Sequence, residues 1–515
     1  MGTFPQLRRI ITDRLFNRRG IFVIDIAGER VERIVPLDRP TATKLVAEAD
    51  TLDARGKLVL PGFIDSHCHT LASARYLLQI DLFGVSSLDE MVERIRSAPQ
   101  FAADFVLAGR LDRMRLPESS RTAIQATLDA AFPDKPLRIG SIEGHSSWLN
   151  GAAWERLKVD QLAQRLGLPA EELAAMRESG IVHGKLGEAL SEALYSTYSE
   201  SERRSALAQL LDTLPARGIT TLHCLEGYGS DPGIDFRVIL DADTSREDID
   251  LVLYPRTRKV ELASELGLHR IGGCILVDGA IGARTAAMSK PYADCPGEQG
   301  MLYFTDEELL SFVRQSAEAG LQLALHAIGD AAIEQVLRTY EELAKEFDLA
   351  ALRPRIEHFV AGTRSQFERA AKLGLASGMQ PAFDYFWGGT KGGYVQALGE
   401  KRGMRTNPLA TALDCGLTVG GGSDSPITPL QPRLGIYAAV NHHAESERLS
   451  FAQAVGLFTT GSASLAHEEK EKGRIAEGFL ADLVVMPGTT DGSNIHEQPV
   501  LVTIKRGRVV HTNSQ

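Results

Sequence analysis

Apolar and polar positions alternate with a period of two near both ends of the chain. The runs GIFVIDIAG, RVERIVPL and GKLVLPGF lie near the N-terminus, and GRIAEGFLADLVVMPG and VLVTIKRGRVVHT lie near the C-terminus. These runs are rich in Val and Ile and break at Gly, Pro or Asp, as short β-strands do. Because chain termini often lie close together, we expect residues 1–60 and 470–515 to form one β-sandwich domain, with two independent edge hairpins as the alternative.

The middle of the chain follows a helical period interrupted by short apolar runs. FTDEELLSFVRQSAEAG precedes LQLALHAIGD, and DAAIEQVLRTYEELAKEFD precedes RPRIEHFVAG. Thr305, with Glu308 three residues later, predicts a capping box at the start of one helix. Repeated helix-then-strand units imply parallel strands, and enough of them close into a TIM barrel, or (β/α)8 barrel. We therefore predict an α/β fold with such a barrel over residues 61–75 and 200–469.

Residues 76–199 do not follow this alternation of helices and strands. They contain the strand-like runs DFVLAGRL and LRIGSIEGH and the polar helical stretch DQLAQRLGLPAEELAAMRESG. We expect this segment to be a subdomain inserted after the first barrel strand, where it would cap the mouth of the barrel.

Polar side chains end several of the predicted strands. The apolar run LVLPGFI leads to His67 and His69, which face the same side of a strand because side chains alternate. Later runs end at His326, His358 and Asp424. In a barrel these positions share one face, and four imidazoles with one carboxylate are a good ligand set for zinc or a related divalent ion. The sequence therefore predicts a metal site.

Composition and charge exclude several classes of protein. The chain has 515 residues, a net charge of -11 and a pI of about 5.7, which argues against nucleic-acid binding. No apolar run reaches the roughly 18 residues that a membrane span needs, and the N-terminus has no apolar signal core. Five cysteines without a C-x-x-C pair fit a reducing cytoplasm. We expect a cytoplasmic protein with a small-molecule partner, without nucleic acid or membrane; a homo-oligomer is left open.

Seven stretches carry a resemblance to a known family. They are LPGFIDSHCH, EGHSSWLN, DGAIGARTAAMSKPYAD, GLQLALHAIGDAAI, RIEHF, GGGSDSP and GFLADLVVM. The chain resembles the amidohydrolase superfamily, in its YtcJ-like branch (exoenzyme-regulatory-protein-like metal-dependent amidohydrolases). The resemblance implies a (β/α)8 barrel flanked by a β-sandwich from both termini. It also implies a centre of one or two divalent metals, with zinc as the first choice.

The resemblance also implies how the metals are held. His67 and His69 would hold one metal with Asp424, while His326 and His358 would hold a second, or His326 alone would join the first. Relatives usually carry a lysine four residues before the Asp-Gly of the DGAIGARTA stretch, and in binuclear members it is carboxylated and bridges the metals. This chain has Cys274 there.

A thiolate is a competent zinc ligand, so Cys274 is a candidate bridge. The alternative is a small buried residue, because free Cys packs like a hydrophobe, and a mononuclear site would then follow. Lys185 and Glu226 remain as distant substitutes for the bridging lysine.

The predicted chemistry is attack by a metal-activated water, with Asp424 as the general base. Candidates for substrate contact are His145 with Glu143, Arg284 and Asp278, each equally well explained as a structural hydrogen bonder. Trp148 and the aromatic run AFDYFWGG after a strand end are candidates for an apolar pocket wall, with ordinary packing as the alternative.

Three functions are open to such a protein. The first is hydrolysis of C–N bonds in small amides or N-acylated amines. The second is deamination of a heterocycle, but deaminases of the superfamily typically carry a Glu one turn after the fifth-strand histidine, and the run from His326 to Asp330 lacks it. The third is a non-catalytic scaffold, against which the intact ligand set argues.

Overall fold

The computed structural model describes residues 6–142, 146–196, 199–227 and 232–513. The strands, in chain order, are β1 (Arg9–Thr12), β2 (Arg14–Leu15), β3 (Ile21–Ala27), β4 (Arg30–Leu37), β5 (Thr51–Asp53), β6 (Lys57–Pro61), β7 (Phe63–Cys68), β8 (Ile80–Asp81), β9 (Val106–Leu111), β10 (Leu137–Ser141), β11 (Ser146–Leu149), β12 (Ile181–His183), β13 (Ile219–Glu226), β14 (Asp250–Pro255), β15 (Arg270–Leu276), β16 (Gln322–Ala327), β17 (Arg355–His358), β18 (Ala376–Met379), β19 (Thr418–Gly421), β20 (Leu483–Pro487), β21 (Val502–Lys505) and β22 (Arg508–Thr512).

Helices separate most of the later strands. The α-helices are Arg39–Val46, Thr70–Tyr76, Leu88–Ser97, Glu118–Arg121, Ile124–Ala131, Gly151–Arg156, Val159–Arg165, Ala170–Ser179, Gly184–Ser196, Glu200–Asp212, Pro232–Ser245, Val260–Glu265, Asp306–Glu318, Asp330–Leu343, Leu349–Leu352, Arg364–Lys372, Pro381–Trp387, Gly393–Leu398, Glu400–Gly403, Leu409–Asp414, Pro432–Val440, Phe451–Gly456 and Ser462–Leu465. The predicted capping box of Thr305 and Glu308 starts the helix Asp306–Glu318.

Two parallel sheets form the centre of the molecule. One has the order β14-β13-β7 and the other β15-β16-β17-β18-β19. β14 lies beside β15, and β19 lies beside β7, where a single bridge joins Cys68 to Ser425. Within the described residues the ladder is not continuous at these two seams, so the predicted barrel is present as two parallel sheets and not as one closed ladder.

A bulge in β15 explains the seam with β14. The register of β15 shifts between Ile271 and Ile275, so Gly272, Gly273 and Cys274 leave the regular ladder. A Cβ atom on Gly273 would lie 2.5 Å from the carbonyl oxygen of Tyr254, so only glycine permits this approach of β15 to β14. The strands therefore meet by backbone packing at this point, without ladder hydrogen bonds.

Two further sheets come from the termini. One has the order β4-β3-β1-β5, and the other, β2-β6-β20-β21-β22, combines N-terminal and C-terminal strands. One buried apolar cluster contains side chains of both sheets, among them Ile10, Ile24, Val59, Val485 and Ile504. The boundaries of the predicted domains stay predictions.

The inserted segment has a sheet of its own, with the order β12-β11-β10-β9-β8. Its parallel and antiparallel strands pack on the helices Leu88–Ser97 and Ile124–Ala131. In the part of the chain that the structure describes, no helix combines the length and the apolar character that crossing a membrane requires.

Buried ion pairs tie the C-terminal sheet to the central strands. Lys505 is fully buried, and its Nζ lies 2.7 Å from a carboxylate oxygen of both Asp250 and Asp482. Lys472 is also 2.7 Å from Asp250. Although burial opposes it, these lysines hold the pKa of Asp250 well below its usual range. Asp250 starts β14, so the network joins the end of the chain to the central sheets.

We expect Lys505→Met to destabilise the protein by about 3–5 kcal/mol, because it removes the cation that pairs with the buried carboxylate of Asp482, whereas Asp250 keeps Lys472 and Arg506. The free energy of unfolding from urea denaturation, followed by circular dichroism, measures the effect. Lys345→Met is the matched control, since Lys345 pairs with Glu342 at the surface. Equal unfolding midpoints for the two variants would contradict the structural role of this network.

Candidate metal centre

His67 and His69 reach the centre from the end of β7. Every residue of β7 is buried, as expected of a central parallel strand, and His67 has no exposed surface. The Nε2 atoms of both histidines lie 3.2 Å from Oδ1 of Asp424. The two rings are 5.4 Å apart and nearly perpendicular, and their Nε2 atoms approach the same carboxylate oxygen.

Asp424 is brought to β7 by the glycine-rich end of β19. A Cβ on Gly422 would lie 2.5 Å from Cβ of His67, so this approach requires glycine. The backbone N–H of Asp424 donates to the carbonyl of His67 (2.8 Å). Asp65 accepts hydrogen bonds from the N–H groups of Ser423 (3.0 Å) and His67 (3.1 Å), and burial raises its pKa to about 6. Asp65 thus holds the two strand ends together.

The other side of the centre comes from β15, β16 and β17. The Sγ atom of Cys274 lies 3.8 Å from Nδ1 of His326 and 3.4 Å from Nε2 of His358. The ring of His358 is 4.5 Å from that of His326 and 4.8 Å from that of His67. The five residues predicted to be ligands therefore lie together with Cys274.

Each imidazole has a partner on the nitrogen that faces away from the centre. Nδ1 of His67 is 2.6 Å from Glu357, Nδ1 of His69 is 2.9 Å from the Leu225 carbonyl, Nδ1 of His358 is 2.7 Å from Gln380, and Nε2 of His326 is 3.1 Å from the Gly279 carbonyl. Acceptors at these positions fix the tautomer of each ring. Three histidines consequently present Nε2 to the centre, and His326 presents Nδ1.

The charges of the cluster compensate one another. Burial opposes ionisation of Cys274, but His67 and His358 lower the pKa of its thiol well below the ordinary value. Burial likewise disfavours the Asp424 carboxylate, but His67 and His69 hold its pKa below the usual range. The centre therefore gathers a thiolate and a carboxylate, whose negative charge needs compensation by protonated imidazoles or by a cation.

Three residues of the centre have backbone angles in the left-handed region. The φ angles are 68° for Cys274, 73° for His358 and 54° for Asp424. Such conformations cost about 1–3 kcal/mol for a residue with a side chain and cluster at functional sites. The backbone is therefore strained where it aims these donor atoms inward.

The donor set fits a divalent metal. Among the residues that the structure describes, three triads have ligand atoms within 4.8 Å of one another: His67, His69 and Cys274; Cys274, His326 and His358; and His67, His358 and Asp424. Although Nε2 of His67 and Oδ1 of Asp424 are close, neither has a hydrogen bond of good geometry among the described residues. Buried donor atoms left without such bonds, with N, O and S chemistry, suit zinc or a similar ion.

The other predicted site residues lie apart from this cluster or lack open donor atoms. Asp278 is buried, and its carboxylate accepts from the N–H groups of Ala287, Ile328 and Gly329. Arg284 pairs with Asp294, with Nε at 2.9 Å from Oδ1.

Trp148 is buried in the apolar core of the inserted segment, so its ring has little surface to offer a ligand. His145 and Glu143 lie outside the described residues. Among the described residues, neither of the two distant substitutes for the bridging lysine belongs to a donor triad. Lys185 is exposed, whereas Glu226 is buried at the end of β13 and accepts from the N–H of Leu71 (2.8 Å). Despite the nearby His69, burial raises the pKa of Glu226 to about 8.

The aromatic run after β18 forms the helix Pro381–Trp387 and packs directly on the centre. Phe383 stacks on the ring of His358 at 5.9 Å and 12°, and Trp387 contacts Phe383 at 5.2 Å. Phe386 meets Phe83 of the inserted segment edge to face at 5.6 Å. The inserted segment therefore reaches the strand ends that carry the ligands.

Sequence reasoning missed Arg355, Glu357 and Gln380, which surround the ligands. Glu357 and Arg355 are fully buried and form a pair in β17, with Nε of Arg355 at 2.6 Å from Oε1. A signal was available in RPRIEHF, because positions 355 and 357 face the same side of a strand and carry opposite charges in an otherwise apolar context.

Comparisons with known proteins identify relatives that match nearly the whole chain. The putative amidohydrolase YtcJ of Bacillus subtilis (strain 168) is 28% identical over 505 residues, 91% of this chain and 91% of that protein. The N-substituted formamide deformylase of Arthrobacter pascens is 23% identical over 505 residues, 90% of this chain and 89% of that protein. A solved structure, an uncharacterized metal-dependent hydrolase from Pyrococcus furiosus, has a TM-score of 0.70 and 26% identity, over 95% of this chain and 99% of that one.

A family model described as the amidohydrolase family (Amidohydro_3) matches residues 50–511, which is most of the chain. The matched residues include all six members of the metal centre. The chain therefore belongs to the amidohydrolase family, as a metal-dependent hydrolase of C–N bonds other than peptide bonds.

Proposed function

We propose that the protein hydrolyses the C–N bond of a small amide or N-acylated amine, with zinc at the centre formed by His67, His69, Cys274, His326, His358 and Asp424. The observation that carries the proposal is the convergence of Asp424 with both imidazoles of β7, because this places a carboxylate beside the ligands of one ion. The two parallel sheets act in this proposal as one (β/α)8 barrel with its ligands at the carboxyl ends of the strands.

When bound, a divalent ion held by these residues would lower the pKa of a bound water to about 7 and polarise a carbonyl group. Asp424 accepts a proton from the attacking water, which its low pKa permits since it stays a carboxylate near neutral pH. The same carboxylate then delivers the proton to the leaving nitrogen, because an amine leaves poorly until it is protonated.

Cys274 is the proposed bridge between two ions. Its sulfur belongs to one donor triad with His67 and His69 and to another with His326 and His358. Its low pKa supports a thiolate, and a thiolate binds zinc well. Cys274 would thus take the place of the carboxylated lysine that binuclear relatives carry.

For the substrate we propose an apolar group beside the scissile bond. The rings of Phe383, Phe386 and Trp387 extend from the ligand His358 towards Phe83 of the inserted segment. Aromatic walls of this kind favour apolar ligands. His145, Arg284, Asp278 and Trp148 stay proposals as substrate contacts; the bonds of Arg284 and Asp278 described above also fit a role in holding the loop between β15 and β16.

Hydrolysis of N-acyl and N-formyl amines with aliphatic or aromatic substituents should be detectable with zinc-loaded protein. Formyl compounds are included because one relative is named a deformylase of N-substituted formamides. We expect Asp424→Asn to lower kcat by about 10²- to 10⁴-fold, which is the range for loss of a general base. Released amine measures the rate.

Asp482→Asn serves as a control, because Asp482 is also a buried carboxylate but pairs with Lys505 in the terminal sheet. An Asp424→Asn enzyme with wild-type kcat would refute the proposed base. No amine release from any compound, combined with ammonia release from a heterocyclic amine, would replace the amidase proposal by a deaminase.

Metal content should fall from two ions per chain in the wild type to one or none in Cys274→Ser, because serine does not supply a thiolate to join the two triads. Elemental analysis of protein loaded with zinc and then gel-filtered measures the ratio. Cys224→Ser is the matched control, since Cys224 is equally buried in β13. An unchanged zinc ratio in Cys274→Ser would remove Cys274 from the centre.

A further inference from the structure

The partner of His67 differs in kind from the partners of the other three histidines. Nδ1 of His67 lies 2.6 Å from a carboxylate oxygen of Glu357. The hydrogen-bond acceptors of the outer nitrogens of His69, His326 and His358 are neutral, namely two backbone carbonyls and the amide of Gln380. A carboxylate oxygen of Asp278 also lies 3.5 Å from Nε2 of His326, which is farther than the 2.6 Å between Glu357 and His67. Hydrogen bonds to a charged acceptor are roughly twice as strong as those between neutral groups.

Arg355 compensates the negative charge of the buried Glu357 carboxylate. Arg355 donates from Nε to Oε1 of Glu357 (2.6 Å) and from its terminal nitrogen to Oε2 (2.9 Å), so the pair is bidentate. The same terminal nitrogen donates to the carbonyl of Ser66 (2.8 Å), next to His67.

A glycine in the neighbouring strand β18 leaves room for the Glu357–Arg355 pair. Gly378 in β18 lies opposite Glu357 in the register. A Cβ atom at position 378 would lie 2.3 Å from Oε2 of Glu357 and 2.8 Å from Arg355. A side chain at position 378 would therefore displace the pair, which lies between β7 and β18 and also contacts His223 of β13 and Tyr254 of β14 through Arg355.

We propose that Glu357, held by Arg355, is a positioning residue that orients His67 and makes its Nε2 a stronger metal ligand. The proposal rests on the metal centre of the proposed function, but not on which bond the enzyme hydrolyses. It predicts that the charge on Glu357 controls metal affinity through His67 alone. A residue that merely supported the fold would lower stability without this specific dependence on His67.

Glu357→Gln should weaken zinc binding by about 10- to 100-fold, the usual effect of removing an outer partner of a ligating histidine. Glutamine keeps the shape, but its amide satisfies either His67 or Arg355 with an oxygen and opposes the other with an NH2 group. The zinc dissociation constant is measured by competition with a chromophoric chelator, which requires no substrate. Arg355→Lys should weaken binding in the same direction by less, because it loses the bidentate grip on Glu357.

Asp482→Asn is the control for loss of a buried, ion-paired carboxylate, and its zinc affinity should equal that of the wild type. The decisive comparison is a double-mutant cycle with His67→Gln. If Glu357 acts through His67, adding Glu357→Gln to His67→Gln should change zinc affinity no further.

Additive losses in that cycle would overturn the proposal, as would wild-type affinity in both Glu357→Gln and Arg355→Lys. If Glu357→Gln yields no folded protein, Arg355→Lys with wild-type affinity still refutes it. If His67→Gln itself leaves zinc affinity unchanged, then the ligand assignment of the proposed function has failed, and this outcome differs from a failure of Glu357 alone.

Discussion

The structure depends on bringing several polar donor atoms into one buried place without leaving any of them uncompensated. Burial of an unpaired polar group costs about 1–3 kcal/mol, and burial of an unpaired charge costs more. The centre concentrates four imidazoles, a thiol and a carboxylate within a few ångströms. Most of the hydrogen bonds and ion pairs around the centre satisfy this constraint. They pair the outward-facing atoms within the protein and leave the inward-facing atoms to compensate one another or a cation.

The backbone makes the convergence geometrically feasible. Gly422 lets the end of β19 touch β7, and the Gly272-Gly273 bulge lets β15 turn Cys274 inward. The left-handed angles of Cys274, His358 and Asp424 show that the strand ends do not follow ideal strand geometry there. These conformations cost free energy in the protein alone, and binding of a metal to the native state would offset that cost by mass action. The strain and the metal affinity are thus linked.

Periodicity was enough to single out the four histidines that lie together at the candidate centre. His67 and His69 share a face because side chains alternate, and His326 and His358 were found because each follows an apolar run. The role of Cys274 could not come from periodicity, since it sits in a bulge with φ of 68°, where alternation fails. It came instead from its place in a family pattern. The discontinuous ladder at the two seams was missed for the same reason, because bulges and glycine contacts depend on neighbours distant in sequence.

The burial of Arg355 and Glu357, which lie next to the candidate ligands, could not be predicted from the sequence. Arg355 and Glu357 alternate correctly for one face of β17, yet sequence alone does not say whether that face meets solvent or the interior. Only the packing of β7 and β18 against them shows full burial. A buried bidentate Arg–Glu pair often stabilises a core no more than apolar residues of similar size, so its presence favours a role beyond stability. In our proposal that role is the contact with His67, since an ionised carboxylate behind an imidazole fixes the tautomer and increases the basicity of the nitrogen that would face the metal.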